Sequence, residues 1–139
     1  MQLTQDLAEG YLFVRACTPR AITVVDREIT ESFVLAPERI VEHWPVRHAA
    51  EFDVSAAETI AALNPEVVLL GTGERQVFPS REALVALLRR RIGVEVMDNA
   101  AASRTYNLLA SEGRRAVAAF MLPGEQPRRS PTPANAGEG

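Results

Sequence analysis

The chain has 139 residues, 47% hydrophobic and 24% charged, with a formal net charge of −3. That length and mix fit one compact domain and exclude a mostly disordered chain, a collagen-like repeat and a disulfide scaffold. No run approaches the ~20 apolar residues that span a bilayer, so the chain is not expected to insert in a membrane.

All 15 basic residues are arginines, a pattern typical of GC-rich coding, and a mildly acidic chain is a poor match for nucleic acid. Met1 to Gly10 carries Asp6 and Glu9 and no cation, unlike a signal or transit peptide. The single Cys17 cannot form an internal disulfide, so the default compartment is reducing, the cytoplasm.

The first part of the chain predicts antiparallel strands. Tyr11–Ala16 and Ala21–Val25 flank a turn at Cys17-Thr18-Pro19-Arg20, and Asp26-Arg27 turns into a third strand over Glu28–Leu35. Pro37 ends that strand, and Glu42-His43-Trp44 is a candidate short strand before Pro45. Large apolar side chains on both faces of Tyr11–Val14 and Ile22–Val25 leave two readings open. Either the hairpin is covered on both sides, or one face meets a partner, including a second copy.

The second part alternates helix and strand. Ser55-Ala56-Ala57-Glu58 has capping-box spacing and opens a helix to about Leu63, stopped by Asn64-Pro65. Val67–Leu70 is wholly apolar, as in strands buried on both faces. Ser80–Arg91 predicts a helix with Leu84, Leu87 and Leu88 on one face and Gly93 as its stop. Val94–Met97 is a second inner strand, and Asp98 or Asn99 caps a third helix that ends at Gly113. On that helix Ala101, Ala102, Thr105, Leu108 and Leu109 fall on one face with Glu112. A carboxylate in a last turn opposes the helix dipole, so Glu112 calls for a cation from Arg104, Arg114 or Arg115. Ala116–Leu122 is the last strand. The expected fold is α/β: a single three-layer domain over residues 1–123, with a parallel βαβαβ core and an N-terminal antiparallel part. Residues 124–139 are rich in Pro and Gly and read as a disordered tail, or as a peptide docking site around Arg128-Arg129-Ser130-Pro131.

Such a core exposes Gly71-Thr72-Gly73, Asp98-Asn99 and Leu122-Pro123 at the C-terminal edge of the parallel strands, where ligands of open α/β sheets bind. Gly71-Thr72-Gly73 can form an anion-binding nest or simply a tight strand exit; Gln76 replaces the glycine a dinucleotide fingerprint requires. Thr72, Asp98, Arg104 and Asn107 are the candidate polar cleft. Their structural alternative is a cap, an ion pair and a solvated amide. Arg89-Arg90-Arg91 reads as a basic patch or, more simply, as a solvated helix end, where cations offset the dipole and the three side chains point in different directions. One Cys and two His in loose spacing do not make a zinc site, and neither Cys17, Ser80 nor Ser103 has the context of an activated nucleophile, so no metal, cofactor or catalytic residue is assigned.

Pro65 through Gly73, Gly93 through Asp98, Arg104-Thr105-Tyr106-Asn107 and Glu112-Gly113-Arg114 together resemble an uncharacterised family. It includes the adipogenesis-associated Mth-domain-containing protein and the mitochondrial complex I assembly factor 3. The resemblance spans about Leu3 to Pro123, with Asn99 and Ser103 departing from the family pattern. It implies a three-layer α/β fold, no established enzymatic activity, and, from the mitochondrial branch, action through partner proteins. It maps the shared motif onto Gly71, Thr72, Gly73, Asp98, Arg104, Thr105, Asn107, Glu112 and Arg114, expected around the same sheet edge. Two functions follow: a non-catalytic protein-interaction module resembling a complex I assembly factor, or a small-molecule or anion-binding protein, potentially an enzyme, using that edge.

Overall fold

The computed structural model describes residues 10–124; the N-terminal nine residues of the expected domain and the expected tail from 125 onward lie outside them. Among the described residues eight strands and three α-helices, with a short 3-10 helix (Ala49–Glu51) before α1, follow in order: β1 (Val14–Cys17), β2 (Ile22–Val24), β3 (Arg27–Ile29), β4 (Glu31–Ala36), β5 (Arg39–Val41), α1 (Val54–Ala61), β6 (Val67–Gly71), α2 (Arg81–Leu88), β7 (Gly93–Met97), α3 (Asn99–Ser111) and β8 (Ala116–Pro123). β1-β2-β3 form a small antiparallel sheet, and β5-β4-β8-β6-β7 form a mixed sheet. In the mixed sheet β6 pairs in parallel with both β7 and β8, and β4 pairs antiparallel with β8 and β5.

Alternation along the central strands explains the layers. In β8, Val117, Ala119 and Met121 pack toward α1 and α2, while Ala118, Phe120 and Leu122 pack toward α3 and the small sheet. Val68 and Leu70 of β6 divide from Leu69 in the same way. Strands covered on both faces must be apolar throughout, as the runs VVLL and AVAAFML are. The result is the three-layer α/β domain expected, with the parallel βαβαβ core intact.

Several local expectations are corrected. The third strand is two strands: Thr30 breaks it, and the chain passes from the small sheet to the large one. The irregular register between Glu31 and Phe33 is closed by Ser32, whose buried hydroxyl accepts from Leu122 N at 2.9 Å. The short strand lies at Arg39–Val41 rather than at Glu42–Trp44, and the second turn is Val25-Asp26 rather than Asp26-Arg27. Asp53, not Ser55, caps α1, accepting from Ala56 N at 2.9 Å. On α2 the buried residues are Ala83 and Leu87, with Leu88 exposed. The stop of α2 is Arg91, at φ 63°, rather than Gly93, which belongs to β7; Ile92 N donates to Leu87 O and Arg91 N to Leu88 O, which satisfies carbonyls the helix leaves open. The inward face of α3 is Asn99, Ala102, Ser103, Tyr106 and Ala110, and Leu108 points to solvent.

The inner face of the hairpin is covered. Leu12, Val14, Ile22, Val24 and Ile29 are buried in the core shared with α3, while the outward side carries Arg15, Thr23 and Glu28. Tyr11, Phe13 and Val25 remain half-buried beside these polar side chains, so the hairpin is covered on its inner face and carries mixed polar and apolar side chains elsewhere.

Candidate functional site

β7 and β8 flank β6 on opposite sides, and α2 and α3 cover opposite faces of the sheet. Strand order therefore reverses at β6, and the C-terminal ends of β6, β7 and β8 frame the switch point. Four of the expected residues meet there. Gly71 ends β6; Thr72 N donates to Met97 O at 2.9 Å; Gly73, at φ 98°, follows; Asp98 opens α3 by accepting from Ala101 N at 2.8 Å.

Asn99, expected at this edge as an alternative cap but not among the candidate site residues, holds the rim together. Its Oδ1 accepts from Gly73 N at 3.1 Å and its Nδ2 donates to Met121 O at 2.9 Å, so one buried amide ties β6, β8 and α3. Asn99 N in turn donates to Gly73 O at 2.8 Å. Gly71 is glycine because a Cβ there would overlap Asn99 Oδ1. Thr72 Oγ1 accepts from Val77 N at 3.0 Å and lies 2.5 Å from Arg75 O, to which it donates, shaping the loop that follows β6.

The remaining motif residues lie elsewhere. Asn107 is two turns along α3, where its Oδ1 accepts from Val14 N at 2.9 Å and its Nδ2 donates to Val14 O at 2.8 Å. It acts as a substitute strand for the irregular end of β1. Arg104 is exposed and Thr105 half-buried on α3. Glu112 and Arg114 sit at the opposite edge of the sheet, so the motif does not gather at one rim. Among the described residues Glu112 has no cation: Arg114 pairs with Glu66 at 3.2 Å and Arg115 with Glu38 at 2.8 Å.

Beside the switch point is a cleft of about 240 Å³ lined by Cys17, Thr18, Pro19, Gly73, Glu74 and Asp98, among others. Burial pushes the Cys17 thiol up, with Asp98 adding to the rise and Ser103 and Arg104 opposing it. Such a thiol is a poor nucleophile near neutral pH. Burial likewise holds the Tyr106 hydroxyl protonated far above its usual range, as a donor to Leu12 O at 2.8 Å. Among the described residues no group of three or more His, Cys, Asp or Glu could hold a metal ion, and no helix is long and apolar enough to cross a membrane.

The fold recurs in solved structures. A solution NMR structure of a Xanthomonas campestris protein is 45% identical, covers 93% of this chain and 98% of its own, and superposes with a TM-score of 0.77. The Mth938-like domain of a Bordetella pertussis protein is 33% identical, with coverage of 91% and 95% and a TM-score of 0.75. Among curated proteins, the Danio rerio NADH dehydrogenase [ubiquinone] 1 alpha subcomplex assembly factor 3 is 30% identical over 125 residues, which is 88% of this chain and 71% of that protein. Residues 14–121 match the family described as protein of unknown function (DUF498/DUF598), and the chain belongs to that family.

Proposed function

We propose that this protein is a non-catalytic protein-interaction module that assists the assembly of a respiratory NADH dehydrogenase. The observation that carries this reading is where the polar atoms of the rim and of Asn107 go, while the motif's Arg104 and Glu112 stay exposed. Thr72, Asp98 and Asn107, with Asn99, are bonded to this chain's own backbone. Side chains spent on a rigid frame are not free to exchange protons with a substrate, and a rigid frame is what a docking module presents. Similarity to vertebrate assembly factors supplies the kind of partner.

Deleting the gene in its native host tests the proposal. Native gels of solubilised membranes are expected to show less mature NADH dehydrogenase and more of its subassemblies, restored by the intact gene. An unchanged complex in the deletion strain overturns the reading.

A further inference from the structure

We propose that the connection between β6 and β7, residues 72–92, is a docking surface for an anionic membrane. Although the chain is acidic overall, this stretch holds five arginines (Arg75, Arg81, Arg89, Arg90 and Arg91) against two acids, Glu74 and Glu82. All five arginines are exposed. The same stretch concentrates apolar surface. Among the described residues five large hydrophobic side chains are exposed, and three of them are here: Val77 at 48%, Phe78 at 65% and Leu88 at 55%.

The two features interleave. Each of these apolar residues lies within three positions of an arginine. On α2, Arg81 and Leu88 fall on one arc together with half-buried Leu84 and Val85, opposite the buried Ala83 and Leu87. Phe78 stands on the loop just before that helix, and Leu88 ends it. Glu58 draws one of the cations, Arg90, at 3.8 Å, and both partners of that pair remain more than half exposed. Protruding apolar side chains set among guanidinium groups match a lipid headgroup layer. The apolar tips enter the acyl boundary, and arginine clamps phosphate oxygens with paired N–H donors while its stem lies along apolar surface. The rest of the chain carries ten arginines against sixteen acids, so the positive excess lies in this stretch. This inference is independent of the assembly-factor reading, because its test uses purified protein and lipid alone.

Sedimentation with vesicles provides the test. The intact chain is expected to bind mixed phosphatidylglycerol–phosphatidylcholine vesicles at low ionic strength, to ignore pure phosphatidylcholine, and to release as salt is raised. Replacing Arg81 and Arg89 together by Gln is expected to weaken binding roughly twenty-fivefold, since each arginine near an anionic surface contributes about a factor of five. Phe78→Ser with Leu88→Ser is expected to weaken it as well. Arg15→Gln on the hairpin with Arg39→Gln on β5, at the far edge of the large sheet, is expected to change it less than about twofold, as residues outside the contact should. All of these are surface changes, and circular dichroism checks that each variant folds. No uptake by anionic vesicles, or uptake unaffected by both patch variants, overturns the proposal. So does arginine-dependent capture of polyglutamate without vesicle uptake, which would assign the surface to an acidic protein. A dimer by light scattering that the Phe78→Ser/Leu88→Ser pair dissociates would assign it to a second copy and equally overturn it.

Discussion

Two asparagines do work here that apolar residues cannot. Asn99 and Asn107 each offer a donor and an acceptor in one plane, so each satisfies backbone groups that have no partner in a ladder. Asn107→Ala strands the Val14 N–H and C=O and is expected to cost about 2 kcal/mol, read as a lower denaturant midpoint with the slope unchanged. Gly71→Ala is expected to destabilise by a similar ~1–3 kcal/mol by forcing the Asn99 amide out of place. The same glycine change in an Asn99→Ala background is expected to cost much less, and a double-mutant cycle with no coupling would refute the packing argument. For Cys17, whose thiol is shifted up by burial, alkylation near neutral pH is expected to run slower than for a free cysteine and to accelerate on unfolding.

At the level of elements, the ends of strands and helices are held by long-range ties. Arg115, just before β8, donates to both carboxylate oxygens of Glu38 and to Leu63 O at 2.7 Å, binding the β4–β5 turn to the end of α1. The Arg115 hydrogen bonds hold the Glu38 carboxyl below its usual range, against an opposing contribution from burial. A depressed carboxylate stabilises the fold above its unfolded pKa and stops doing so as pH falls through the folded value. Acid titration of stability is therefore expected to show a small loss below about pH 4.5, the ordinary value for this carboxyl. The loss should shrink in Arg115→Gln, leaving only the smaller contributions of the Glu38 backbone and Arg39, and half exposure of Glu38 keeps it modest.

The same long-range ties mark what a reader of the sequence could and could not see. β6 and β8 were legible because unbroken apolar runs have few alternatives. The start of α3 was legible to within one residue, because Asp98 and Asn99, both good caps, sit directly before a helical run, and the structure gives the cap to Asp98. The inward face of α3 was not: alanines carry little phase information, and the buried Asn99 and Ser103 look like surface residues until their backbone partners are known. Nor could spacing reveal that Asn107 reaches Val14, a partner 93 residues away. The break at Thr30 was hidden because both halves of EITESFVL suit a strand, and only the two-sheet packing separates them. Of the nine expected site residues, Gly71, Thr72, Gly73 and Asp98 share the switch point because they end or begin adjacent elements. Glu112 and Arg114 do not, because a helix of 13 residues carries them about 20 Å away.

For the molecule as a whole, protection should follow position in the large sheet. β8 lies between β4 and β6 and is apolar on both faces, so its amides are expected to exchange slowest, with β5 and β7 at the edges fastest. Hydrogen exchange followed strand by strand checks this ordering; fast exchange in β8 would contradict the two-sided core.

The edge strand β7 has a further property. Among the described residues its outer side has no neighbouring strand, yet Gln76, reaching from the loop after β6, donates through Nε2 to Val96 O at 2.8 Å. That amide occupies a position where an incoming strand would otherwise bind. Gln76 thus works as a guard against self-recruitment: Gln76→Ala would leave the fold standing while turning this flank into a template, and the molecule would begin to add copies of itself, visible as concentration-dependent turbidity on storage.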